Sequence, residues 1–352
     1  MRVRKYIPGR IFKRHLIHQA GNISAAISLA LAMVLLQSAD ARGCASCGCT
    51  LSSDWENLQF STAPGLKIDL RYDFINQDEL WSGKKQISPT AASQVNGGTN
   101  EVEQYTINNY VTLGIVYSIN HDWGVNVQVP YIDRKHSTLG VGSDGYTPVP
   151  GGMSYDSHTK SIGDVKVIGR YQGFTPQCNF GVLYGVKLPT GSFNMTGTST
   201  DPVTPGGPVP IDRGLQPGTG TTDAIVGAYY SNAISQDWDY FGSALFQIAL
   251  DYREQYRPGD GVNLNAGLRY GGFSGFSPLL QFNFREVAHD QGGNADKLNT
   301  GGTLLYISPG ITAAVGQHVS AYAFVQVPVY QEVEGVQLVA KFTYSVGVRY
   351  SF

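Results

Sequence analysis

An all-β fold, an antiparallel transmembrane β-barrel of about twelve strands, is predicted by three features of the sequence. Segments of period-two alternation run through the chain, the connections between them alternate short and long, and no stretch sustains a 3.6-residue period. The composition, rich in Gly and Tyr and poor in Met and Cys, fits a large β protein.

Residues 1–41 read as a cleavable secretory signal. Six basic residues (Arg2, Arg4, Lys5, Arg10, Lys13, Arg14) precede an apolar run from Ile23 to Ser38, and Ala39-Asp40-Ala41 offers small residues for cleavage. As a helix that run would span about 24 Å, short of a hydrocarbon core of roughly 30 Å, so a retained anchor is the weaker reading. A lipoprotein start at Cys44 is disfavoured by Arg42. Without residues 1–41 the chain holds 19 Lys+Arg against 26 Asp+Glu, a net charge of −7 that argues against nucleic acid as a partner. Residues 42–66 form a Cys-containing segment on the periplasmic side, and 67–352 form the barrel.

The alternation gives each strand a lipid face. The first carries Ile68, Leu70, Tyr72 and Phe74 outward; a shift by one would put Lys67, Asp69, Arg71 and Asp73 into lipid, at about 2–4 kcal/mol for each Lys or Arg near the midplane. The second to ninth follow from Ile107, Trp123, Val165, Phe180, Ala224, Tyr240, Val262 and Leu280. The tenth is assigned Leu304, Tyr306 and Ser308 outward, the eleventh Val319 to Val329, and the twelfth Leu338, Ala340, Phe342 and alternate residues to Phe352. Tight turns at 119–122, 174–178, 233–237, 271–275 and 315–317 separate long polar pieces at 76–103, 134–161, 189–222 and 287–301. Short periplasmic turns, long external loops and both termini in the periplasm follow from an even count. The loop around Pro202–Pro210 is expected to be external with no fold of its own. Pro130, Pro309 and Pro328 mark bulges or strand ends. A soluble sandwich is the alternative, but outer faces this apolar would expose a ring of hydrocarbon.

The final strand resembles the C-terminal strand of Gram-negative outer-membrane proteins. That likeness implies an outer-membrane location, with Tyr350 and Phe352 as part of the signal read by the barrel-assembly machinery, and with membrane lipid as a partner.

The inward positions form the expected solute path: Lys67, Asp69, Arg71, Asp73, Asp164, Lys166, Arg170, Lys187, Asp223, Asp251, Arg253, Arg269, Arg285, Lys341 and Arg349. This basic lumen reads either as a passage for anionic or polar solutes or as Arg–Asp ladders that fill a narrow interior. Three segments, SIGDVKVIGRYQGF (161–174), GVLYGVKLPTGSF (181–193) and GTGTTDAIVGAYYSN (218–232), resemble repeated elements of the MetA-pathway of phenol degradation family of transporter-like barrels. The likeness covers roughly Tyr105 to Phe352 and implies a link to uptake of aromatic compounds.

Cys44, Cys47 and Cys49 cluster near the start of the exported chain, and Cys178 lies in a tight turn on the same side. Two disulfides suit an oxidising compartment, with Cys178 linked to the segment; a soft-metal site for Cu(I) or Zn(II) is the alternative. Gly48 after Cys47 excludes the haem-attachment motif. The adjacent pairs His136-Ser137 and Ser157-His158, placed in an external loop, face opposite ways along extended chain, and neither G-x-S-x-G nor H-E-x-x-H occurs. The chain therefore reads as a non-enzyme: a channel for a small polar or aromatic solute, or else a structural or metal-handling barrel acting through its Cys-x-x-Cys-x-Cys segment.

Overall fold

The computed structural model describes residues 64–95, 101–141, 148–149, 154–201 and 205–352. In chain order the elements are β1 (Gly65–Gly83), β2 (Lys85–Gln86), α1 (Pro89–Ala92), β3 (Glu101–Ser118), β4 (Trp123–Val141), β5 (Pro148–Val149), β6 (Tyr155–Ile162), β7 (Val165–Tyr171) and β8 (Phe180–Leu188). They continue as β9 (Thr196–Ser199), β10 (Pro208–Pro210), a 3-10 turn (Arg213–Leu215), β11 (Asp223–Ala233), β12 (Trp238–Ala249), β13 (Gly261–Tyr270), β14 (Phe276–Val287), β15 (Gly302–Ala314) and β16 (Val319–Ser351). Among the described residues no helix is long and apolar enough to cross a membrane.

Eleven strands close an antiparallel barrel. The ring runs β1-β3-β4-β7-β8-β11-β12-β13-β14-β15-β16 and returns to β1, with β4 joined to β7 and β16 to β1. The expected twelfth strand is not separate. β16 runs for 33 residues, pairs with β15 up to Val333 and with β1 from there to Ser351. Gly335 (φ +57°) turns the chain back at once, and Ser351 N–H donates to His318 O at 2.8 Å across the two limbs. The expected eleventh and twelfth strands are therefore the limbs of one continuous element, and β6 and β7 together form a single wall strand broken at Gly163–Asp164.

The outward face is apolar. Leu70, Leu113, Val186, Val226, Phe282, Val327 and Val348 are all exposed, and the polar partners at alternate positions are buried inside. All the tight turns lie at one end, together with the start of β1 and the end of β16. Rings pack against one another around that end, mostly tilted or edge-on: Trp123–Tyr171–Phe174–Phe180, Trp238–Tyr270–Phe273–Phe276, and Tyr350–Phe352 at 4.7 Å. Such a belt suits a membrane–water interface, where aromatic rings are enriched.

Several expected positions change. Leu304, Tyr306 and Ser308 face inward, because β15 pairs them with Arg285, Asn283 and Gln281, all buried on the inner face of β14. Lys341 faces outward: the pairing steps from Ile75↔Thr343 to Gln77↔Ala340, so Lys341 and Phe342 oppose Asn76 alone in a bulge. Lys341 reaches Glu79 at 3.5 Å outside the barrel. Leu338 and Ala340, expected in lipid, are buried under the long loops with Leu80, Ala92 and Val102 around Leu338. Asp251 and Arg253 lie beyond the end of β12 and are exposed in a loop. The piece 134–161 is largely strand, since β4 runs to Val141 and β6 begins at Tyr155. His136, Ser137, Ser157 and His158 therefore sit on strands and not in a loop. Residues 208–210 pair with β9 and so do have local structure.

Candidate functional site

The connection from β10 to β11 does not stay outside. Residues 211–222 fold into the barrel, with Ile211, Leu215, Gln216 and Thr221 buried. β4 supplies the clamp that holds them. Arg134 donates from Nη1 to Gly214 O (3.1 Å) and Gln216 O (3.4 Å), from Nε to Asn108 Oδ1 (2.6 Å), and from Nη2 to Tyr110 OH (2.6 Å). The Gln216 side chain exchanges two further bonds with the Met195 backbone, at 2.9 and 3.0 Å.

The three motif-like segments converge on the root of this loop. Lys187, on β8, has its ammonium 2.9 Å from Asp164 Oδ2 and 3.2 Å from Asp223 Oδ1, and also donates to the Thr219 hydroxyl. Asp164 in turn accepts from Gly191 N–H at 3.0 Å and from Thr219 N–H at 2.9 Å. Thr221 donates to Asp223 at 2.9 Å, and Gln247 to the other Asp223 oxygen at 2.6 Å. Gly218 packs against Gly191 so closely that a Cβ there would come within 2.5 Å of the Gly191 carbonyl. One cation between two carboxylates, all three side chains at most 7% exposed, leaves no charge without a partner. These elements anchor a loop inside the barrel.

The inserted loop divides the upper interior. A chamber of about 410 Å³ toward the long loops is lined by Glu103, Asp212, Asp290 and Asp296. A second cavity of about 220 Å³ is lined by Arg134, Lys166, Lys187 and Arg285, with Asp164 and Asp223. Arg213, Gly214, Tyr256 and Asp290 line both and form the partition. Arg213 lies over the rings of Phe193 (4.9 Å) and Tyr256 (5.1 Å) and donates to Phe193 O and Thr219 O. Lys166 makes no ion pair among the described residues, which leaves its charge facing the second cavity. An acidic vestibule thus stands over a basic constriction.

Toward the tight-turn end ion pairs and rings crowd the interior, beside a further cavity of about 270 Å³ lined by Arg269, Phe276 and Tyr322. Asp69 pairs with Arg349 at 3.2 Å and accepts from Tyr322 OH at 2.7 Å; Arg71 pairs with Asp73 at 2.8 Å. Phe241, Leu279, Tyr322 and Phe324 make a buried cluster beside them. Here the Arg–Asp ladder describes the lumen. Arg170 donates to Ser118 at 3.2 Å and Arg269 to Asp239 at 2.6 Å, while Lys67 lies on β1 opposite Ser351 and Val116. The structure brings Asp164, Lys166, Lys187, Asp223 and Arg285 together around one cavity, and leaves Asp251, Arg253 and Lys341 away from it.

Arg134, Asp212, Arg213 and Tyr256 escaped the sequence reading. For Arg134 a signal existed: Ile132, Arg134 and His136 continue the inward alternation of Gln128 past the point taken as the strand's end. Asp212 and Arg213 lie in a loop without periodicity, and only the tertiary fold brings them inward.

Asp212 faces the chamber water, yet the protein mass around it, and then the Asp296 carboxylate, push its carboxyl up to about 6 from 3.8. The fold thus favours the neutral acid, a stabilisation present below 3.8 and lost as pH rises through about 6. Lowering the pH from 7.5 to 5 is therefore expected to remove negative charge above the constriction and raise anion over cation permeability. Reversal potentials in a salt gradient check this: an Asp212→Asn variant should lose most of the change, and an unaltered pH profile in that variant would refute the assignment.

Neither His–Ser pair is joined. His136 Nδ1 bonds Thr106 Oγ1 at 2.8 Å, and His158 Nε2 bonds Asp133 at 2.8 Å. Of the four cysteines, Cys44, Cys47 and Cys49 lie outside the described residues; Cys178 is buried and forms no disulfide among the described residues. Its Sγ stands 3.0 Å from His121 Nδ1, with Asp122 alongside. Burial, then Asp122, push its thiol up, and Arg170 acts in the opposite sense.

No family model matches the sequence, so the likeness to the MetA-pathway family stays one of strand and turn elements. No curated protein matches it either. Among solved structures, the chain is similar to the COG4313 outer membrane channel from Pseudomonas putida F1, at 13% identity and a TM-score of 0.56, over 84% of this chain and 98% of that one. It is also similar to the Ralstonia pickettii toluene transporter TbuX (9%, TM-score 0.43, 82% and 90% covered) and the CymD monoaromatic hydrocarbon channel (11%, 0.41, 89% and 98%). The first of these carries the comparison of fold. Taken with the strand pairings, the likeness shows a closed antiparallel β-barrel.

Proposed function

We propose that the chain is an outer-membrane channel passing a small polar or aromatic solute, with the loop 211–222 as its constriction. The observation that carries this is the partition at Arg213, where a cation stacked on two rings separates the acidic vestibule from a cavity lined by Lys166, Lys187 and Arg285. The charge facing the second cavity suits a carboxylate-bearing solute, attracted by the Lys166 ammonium, while Arg213 is held by Glu254 at 3.0 Å. In this account residues 1–41 are an export signal, the tight turns face the periplasm, and Tyr350 and Phe352, both exposed on the outer face, serve the barrel-assembly machinery.

Lys166 is the residue to change, because it lines the cavity and makes no ion pair among the described residues. A Lys166→Glu variant should convert an anion preference in bilayer reversal potentials into a cation preference, with the barrel still heat-modifiable on gels. Unchanged selectivity in a folded variant would count against passage through this cavity.

A further inference from the structure

We propose that His121, Asp122 and Cys178 form a zinc-binding site on the tight-turn end of the barrel, outside the lumen. The inference goes beyond the channel and does not depend on it. Cys178 is 57 residues from His121, and the two meet because β4 pairs with β7, which lays the β3–β4 turn beside the β7–β8 turn. One donor atom from each of the three residues lies within 4.8 Å of the others. His121 Nδ1 stands 3.0 Å from Cys178 Sγ and 3.1 Å from Asp122 Oδ1.

The backbone behind these donors is fixed. Gln172, buried, donates from Nε2 to His121 O at 2.7 Å and from its backbone N–H to Asp122 O at 2.9 Å. Tyr229 OH holds the other end of the Gln172 amide at 2.7 Å. Asn120 Oδ1 accepts from the N–H groups of Asp122 and Trp123, both at 2.9 Å. Cys178 itself has φ +50°, in the left-handed region that few residues with a Cβ occupy. That turn sets a buried sulfur beside a half-exposed imidazole, through which an ion can arrive from solvent.

The donor chemistry selects the metal. Sulfur, imidazole nitrogen and carboxylate oxygen together suit zinc, which takes all three at bonds of about 2.0–2.3 Å. Calcium and magnesium want oxygen alone, and Cu(I) prefers soft ligands to a carboxylate. Tetrahedral bonds of that length place sulfur and nitrogen about 3.5 Å apart, so the exposed His121 ring has to withdraw by about half an ångström. On binding, Zn²⁺ takes the place of the thiol proton, which leaves to solvent, and a fourth position stays open to water.

The three other cysteines could bind zinc by themselves, so the test uses the full chain carrying Cys44→Ser, Cys47→Ser and Cys49→Ser. The detergent-purified protein is reduced, stripped of metal, dialysed against zinc alone, and assayed by elemental analysis; cobalt substitution reports a thiolate-to-metal charge-transfer band. The expected result is a single zinc per chain, a thiolate band, and an affinity at least about tenfold weaker after His121→Ala or Cys178→Ser. His121 is exposed enough that its variant should fold even if the Cys178 variant does not. Absence of zinc from the triple variant, or full binding retained by His121→Ala, would overturn the proposal.

Discussion

Replacing Lys187 by Met is expected to destabilise the barrel by about 3–5 kcal/mol, the usual result of removing one partner from a buried ionic cluster. Asp164 and Asp223 would then face each other with no cation between them, at side-chain exposures of 7% and 2%. Their remaining partners, the Gly191 and Thr219 N–H groups, the Thr221 hydroxyl and the Gln247 amide, are neutral and cannot replace the charge. Since Asp164 also holds Thr219, the same change should loosen the inserted loop. Urea unfolding in lipid vesicles measures the first effect. A loss below about 1 kcal/mol would mean that lumen water already solvates these carboxylates and that the anchor is weak.

Phe282→Arg should cost about 2–4 kcal/mol in the same assay, because the side chain sits mid-strand on the lipid face of β14 at 48% exposure. Substituting the neighbouring inward position would perturb the amide ladder instead, where Asn283 donates to Asn265 at 2.7 Å and accepts from Ser308 at 2.5 Å. The contrast depends on a membrane. If Phe282→Arg has no effect in vesicles, the outer face does not meet hydrocarbon and the barrel is not embedded as described.

Where charge alternated with apolar residues, the wall could be read from the sequence. Lys67, Asp69, Arg71 and Asp73 admit only one register, and β1 adopts it. Three physical causes limited the rest. Leu304 and Tyr306 are as apolar as lipid-facing residues, and only their pairing with β14 places them inside. Lys341 lies on a bulge, which breaks the period of two that the reading relied on. Above the apolar band, strands such as β1 and β4 run for 19 residues each, about twice what a bilayer needs, and there the loops make the inside the apolar side. Leu80 and Leu338 illustrate that inversion.

The candidate site was legible only in pieces. Asp164, Lys187 and Asp223 were assigned inward positions, and the segments containing them looked like elements of fold; their meeting at the root of a loop depends on β7, β8 and β11 lying side by side. The partition itself, Arg213 between Phe193 and Tyr256, joins residues from three separate connections and left no pattern in the chain. Cys178 was noted for its sulfur, but His121 became relevant only when two turns met.

The measurement that bears most directly on the central claim is single-channel conductance in planar bilayers, comparing the wild-type chain with one in which residues 212–217 are replaced by a short Gly-Ser bridge. If the inserted loop is the constriction, the wild type should conduct weakly and the bridged variant several-fold more, with Arg134→Ala in between because it removes only the clamp. Equal conductance in the wild type and a folded bridged variant would contradict the account and place the barrier elsewhere, at the packed cluster of Phe241, Leu279, Tyr322 and Phe324.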